Sequence, residues 1–149
     1  MGQYGEVAVS SAKLMAEGTL SPLAAWNLAC TNVIASASSR KKGCPRKAFL
    51  GLCAAGFLNN TSINDYDAEE AINSKNGKYA MVAVEFLRAQ PQLAKSKHNL
   101  WVKVLNSFGD DLEKKHNGQM DVVISLWENG YIVNNLHNTI GKVRILPRQ

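Results

Sequence analysis

The chain has 149 residues, 46% hydrophobic and 19% charged, with a formal net charge of +5. That is one domain's length with enough apolar residues to bury a core, which excludes disorder for the bulk of it. The longest uncharged stretch, residues 18–39, is broken by Pro22 and by Ser, Thr and Asn, so no membrane span is expected.

The opening MGQYGEVAVSS has no basic start followed by an apolar run, which argues against a secretory signal and for a cytoplasmic location. Cys30, Cys44 and Cys53 should then be reduced thiols. They form no CxxC pair, and no two histidines stand three or four residues apart, so neither a metal nor a dithiol cofactor is expected.

The chain repeats itself. A shift of 75 residues brings Gly2 onto Gly77, Tyr4 onto Tyr79, Val7-Ala8-Val9 onto Val82-Ala83-Val84, Ser21 onto Ser96 and Trp26 onto Trp101. A shift of 74 brings Arg40-Lys41-Lys42 onto Lys114-Lys115-His116, Leu52 onto Leu126, Gly56 onto Gly130 and Phe57-Leu58 onto Tyr131-Ile132. One single-residue gap therefore aligns residues 2–58 with 77–132.

Each half reads as three helices. The first runs from about Gln3 to Glu17, with Tyr4, Val7, Ala8, Leu14 and Met15 on one face and Gly18 as its stop. The second opens at Ser21-Pro22, a capping hydroxyl followed by proline at the first helical position, and carries Leu23, Trp26, Cys30 and Val33. The third runs from about Cys44 to Ala55, with Ala48, Phe49, Leu52 and Cys53 on one side. Residues 59–76 form a linker in which Asp65 to Ile72 reads as a short helix with acids in its first turn.

The copies follow in the same order. They are Lys78 to Gln90, ended by Pro91; a helix from Ser96 bearing Leu100, Trp101, Val104, Leu105 and Phe108; and a helix capped by Asn117 with Met120, Val123, Ile124 and Trp127. Gly56 and Gly130 supply a left-handed residue after each third helix, and the aromatic that follows should fold back onto it. Residues 133–149 are broken up by Asn and Gly and read as an irregular tail despite the alternation in Lys142 to Leu146. The expected fold is all-α: a single domain, 1–149, of two three-helix units related by a pseudo-twofold axis and sharing one core.

The blocks KKGCPRKAFLGLC (Lys41 to Cys53) and KKHNGQMDVVISLWENGYI (Lys114 to Ile132), with the opening QYGEVAV, resemble a family of small bacterial proteins classed as a domain of unknown function. The resemblance spans roughly residues 2–132. It implies a soluble bacterial protein and brings no catalytic residues with it.

The most informative segment for function is Arg40 to Lys47, where Arg40, Lys41, Lys42, Arg46 and Lys47 lead into the third helix. A helix start already carries partial positive charge and free N–H donors. Cations there oppose the dipole, and a bound anion would relieve the conflict. Lys114, Lys115 and His116 repeat the arrangement before the last helix. The leading expectation is a non-enzymatic module contacting a nucleic acid or another phosphate-bearing partner; a solvated loop that aids solubility accounts for the same charges.

The loop between second and third helices is about eight residues, too long for a helix-turn-helix, and no RNP, KH or zinc-finger pattern is present. Nucleic-acid contact would thus fall on phosphates. Two further readings stay open. Cys44, a thiol among cations at a helix start, could serve as a nucleophile with His116 as its base in a hydrolase or transferase. Alternatively, the basic segment could meet an acidic surface in a protein–protein adaptor. Oligomeric state is not legible in the sequence.

Overall fold

The computed structural model describes residues 2–18, 20–59 and 70–133. They are all-helical: α1 (Gln3–Glu17), α2 (Pro22–Val33), α3 (Ala37–Arg40), α4 (Gly43–Ala54), α5 (Lys75–Ala89), a 3-10 helix (Pro91–Lys95), α6 (Lys97–Phe108) and α7 (Gln119–Glu128). None of these helices is long and apolar enough to cross a membrane. Most of the expected acidic linker helix, and the tail beyond Val133, lie outside the described residues; residues 70–72 are helical.

Hydroxyl caps set most helix starts. Ser21 accepts from the Ala24 N–H at 3.2 Å and Ser96 from Asn99 at 3.2 Å, as the sequence suggests. Ser74 accepts from Gly77 at 3.0 Å, so α5 begins at Lys75 rather than at Lys78. Ser36 accepts from Ser39 at 3.2 Å and starts α3 inside what reads as a loop.

Two caps differ from expectation. Gly118, not Asn117, caps α7, with φ +95. A Cβ at Gly118 would lie 2.9 Å from Tyr4 Cδ2 and 3.2 Å from Pro45 Cβ, so the position requires glycine on both counts. The Asn117 N–H is held instead by Gln119 Oε1 at 2.5 Å. Gly18 ends α1 in extended backbone, φ −145, rather than a left-handed turn.

The helices pack around one core. α1 lies on α2 and α7, while α4 lies on α5 and α7, and α6 covers α5. Trp26, Phe49, Phe57, Tyr79, Leu87, Leu105 and Leu126 are all buried in it. Trp26 packs on Phe49 with ring centroids 5.2 Å apart, and Tyr79 meets Trp101 edge-on at 5.0 Å.

α4 and α7 end alike. Gly56 and Gly130 both have φ +80, and the next residue donates back five positions, Phe57 to Leu52 at 2.9 Å and Tyr131 to Leu126 at 3.0 Å. The chain ends so turned meet in an isolated antiparallel bridge, Leu58 to Ile132. Its two bonds run from Asn59 N–H to the Tyr131 carbonyl at 3.2 Å and from Val133 N–H to the Phe57 carbonyl at 2.8 Å.

α4 and α5 cross backbone to backbone. A Cβ at Gly51 would stand 2.7 Å from the Gly77 Cα, and a Cβ at Gly77 would stand 2.1 Å from the Ala71 carbonyl oxygen. Helix propensity alone favours alanine over glycine by about 1 kcal/mol. Here the clash reverses the sign, because the obstructing atoms are backbone. Gly77→Ala should destabilise the protein by about 1–3 kcal/mol net, as overpacking does. Gly43→Ala is the control, since its Cβ would meet only Arg46 Nη2 at 3.5 Å; it should be neutral or slightly stabilising. Urea unfolding of both variants checks the pair of signs.

Candidate functional site

The basic segment divides on folding. Arg40 is half-buried, and its Nε donates to the Ile34 carbonyl at 2.6 Å, bracing the turn between α2 and α3. Lys41 and Lys42 are exposed, with Lys42 at the cap position of α4 and making no side-chain cap. Arg46 reaches back to the Lys41 carbonyl at 3.5 Å.

Arg46 and Lys47 line a groove of about 250 Å³ between α2 and α4. Leu23, Asn27 and Leu50 form its other walls, with Glu70 and Ala71 at one end. The first turn of α4 holds no acidic residue and no side-chain cap, so nothing acidic on that turn offsets the positive helix start or the two cations that follow it. Sequence reading misses Asn27 and Glu70 because the pairing of α2 with α4 and the return of residue 70 are tertiary facts.

The second cluster is spent differently. Lys114 donates to the Tyr79 phenol oxygen at 2.8 Å, and its ammonium stands 5.0 Å from that ring's centroid. Tyr79 in turn donates to Asp110 Oδ2 at 2.5 Å, while Lys75 bonds Asp110 Oδ1 at 3.3 Å. The Lys114 carbonyl accepts from Trp101 Nε1 at 2.7 Å. Burial, then the bond to Asp110, push the Tyr79 phenol up to about 12. The bond from Tyr79 holds the Asp110 carboxyl below its ordinary range.

The N-termini of α4 and α7 come together, since Gly118 abuts Pro45. Cys44 is half-buried in the first turn of α4. His116 packs edge-on against Trp101, 6.3 Å between ring centroids. Burial, then the Lys97 ammonium, lower the His116 pKa; Asp121 opposes this and His98 adds to it. Nδ1 of His116 is buried without a hydrogen-bond partner among the described residues. Burial pushes the Cys30 thiol up, against weaker opposing pulls from Arg46 and Arg40. Among the described residues no three His, Cys, Asp or Glu side chains gather as metal ligands would. His137 lies outside the described residues.

The chain belongs to a family of unknown function (DUF6979), which matches it over residues 1–133. No curated protein and no solved structure matches it.

Two outcomes follow from this geometry. Tyr79→Phe should cost about 1–2 kcal/mol, the value of a hydrogen bond to a charged group that is partly solvated. The wild-type phenol has its folded-state pKa above the unfolded value near 10, so its contribution is complete below pH 10 and lost as pH rises towards 12. Unfolding curves across that interval should converge for wild type and variant.

Iodoacetamide labelling at neutral pH should modify Cys44 first, because Cys30 is only 3% exposed and Cys53 fully buried. Mass spectrometry of timed samples reads the order. Equal rates at all three would mean that the α2–α4 contact opens in the native state.

Proposed function

We propose that this chain is a duplicated, non-enzymatic binding module that holds a phosphate-bearing partner on Arg46 and Lys47 at the start of α4. The observation that carries the reading is the groove lined by those two cations against the single acid Glu70, just beyond an uncapped helix start with no acid in its first turn. Its size suits one phosphate group and its immediate neighbours. Lys41 and Lys42 add positive potential from outside it, as does Lys115 on the exposed loop before α7.

Duplication is supported by several matched features. Under the 75-residue shift Pro22–Val33 becomes Lys97–Phe108, the bounds of α2 and α6. Under the 74-residue shift the last residue of α4 becomes that of α7, and the Phe57–Leu52 bond becomes the Tyr131–Leu126 bond. The bonds between 59 and 131 and between 133 and 57 are exchanged by the same shift, as a twofold axis through the bridge requires. α1 rests on α7 and α5 on α4, so each unit's first helix packs on the other unit's third. We place this module in the bacterial cytosol on the sequence resemblance to a family of small bacterial proteins.

The test is a salt titration against a mixed-sequence single-stranded oligonucleotide. Arg46→Gln/Lys47→Gln should lower the log–log slope by about 1.4, or about 0.7 for each lost phosphate contact. The free double variant should be slightly more stable, by about a few tenths of a kcal/mol, because cations at a helix start oppose its dipole. Wild type that fails to bind at low salt, and fails to bind inorganic phosphate, would defeat the reading. An unchanged slope would move the contact to Lys41, Lys42 and Lys115.

A further inference from the structure

A second groove, of about 480 Å³, opens between α6 and the loop before α7. Its volume is in the range of small-molecule sites. Two of the chain's three histidines, His98 and His116, line it although they are 18 positions apart in the sequence. Trp101, Val102 and Leu112 supply apolar wall, and Leu112 is 48% exposed there, one of three large apolar side chains so displayed among the described residues. The aromatic edge formed by Trp101 and His116 gives a flat ring something to pack on.

The polar groups favour an anion. Lys114 and Lys115 face Glu113, the sole acid of the lining, so the groove is net cationic. Lys115 makes no hydrogen bond or ion pair among the described residues. Lys114 spends one ammonium proton on Tyr79 and keeps two. Nδ1 of His116 is buried and has no hydrogen-bond partner among the described residues, so a polar atom at that wall would be favoured.

The same features are missing where the repeat would place them. Leu23, Asn27, Ser38 and Lys42 stand at the positions matching His98, Val102, Leu112 and His116. The shared helical core therefore does not demand this set of side chains. We propose that the groove between α6 and the loop before α7 binds a small aromatic anion, its ring against Trp101, His116 and Leu112 and its charged group towards Lys115 and Lys114.

The probe is naphthalene-2-carboxylate, titrated into the full chain and followed by NMR at the Trp101 indole N–H and the ring protons of His98 and His116. Saturable shifts at all three, with a Kd tighter than about 1 mM, are expected. Leu112→Asp puts a like charge and a shorter side chain at an exposed position; it should weaken the probe about tenfold or more while the thermal unfolding midpoint of the variant stays close to that of wild type. Lys115→Gln should weaken it too, and the uncharged 2-naphthylmethanol should bind about tenfold more weakly than the carboxylate.

Unmoved resonances, or a Kd unchanged by Leu112→Asp, would overturn the assignment. Arg46→Gln/Lys47→Gln should leave the naphthoate Kd as it is. If that variant abolishes binding instead, the probe sits in the groove of α2 and α4, and this assignment fails while the phosphate reading gains.

Discussion

Backbone contact between α4 and α5 at Gly51 and Gly77 is the constraint on which the rest of the structure depends. It sets how near the first half's third helix comes to the second half's first. At that separation the Ala71 carbonyl can lie over Gly77 and still accept from Ser74 Oγ at 2.6 Å, which fixes the start of α5. Any side chain on Gly77 would push residue 71 away and, with it, the end wall of the groove that holds Arg46 and Lys47. The position of the candidate site is thus tied to an apolar helix crossing, through rigid elements rather than through a flexible loop.

The two halves share helices and diverge in how they use their cations. In the first, Tyr4 is half-buried and donates to the Ser39 carbonyl at 3.0 Å, so no lysine is drawn into its network. In the second, Tyr79 is fully buried between Asp110 and Lys114, and one ammonium proton of that lysine is spent on the phenol. Trp101 Nε1 finds the Lys114 carbonyl, whereas Trp26 Nε1 has no hydrogen-bond partner among the described residues. Arg40, the counterpart of Lys114 under the 74-residue shift, turns instead to Ile34. The cations left for a ligand are therefore Arg46 and Lys47, with exposed Lys41 and Lys42, on one side, and Lys115 with the remaining protons of Lys114 on the other.

The helices and their order were legible because hydroxyl caps, prolines at first turns and glycine stops are local signals. Ser21-Pro22, Ser96, Gly56 and Gly130 each act over five residues or fewer, and each does in the structure what its chemistry suggests. Asn117 failed as a cap for a non-local reason. Tyr4 and Pro45, more than 70 positions upstream, leave room only for glycine at 118. The site was half legible for the same reason. Five cations before one helix are plain in the sequence, yet which two line a groove depends on α2 lying across α4. That His98 and His116 share a wall depends on the loop of residues 109–117 folding back over Trp101.

The proposed duplication offers a physical reason for one scaffold to carry two unlike grooves. Under that proposal a twofold core would need matched apolar residues only where the halves meet, α1 on α7, α5 on α4, and at the bridge. α2 packs mainly on α1, and α6 packs on α5, α7 and the 3-10 helix of its own half. Their outer faces are therefore released from the symmetry, and it is there that Leu23 and Asn27 stand in one unit and His98 and Val102 in the other. A change on those faces alters a groove without disturbing the core, because α2 and α6 each keep their buried Trp at the matching position. Divergent chemistry then collects on the periphery while the interlocked centre stays fixed.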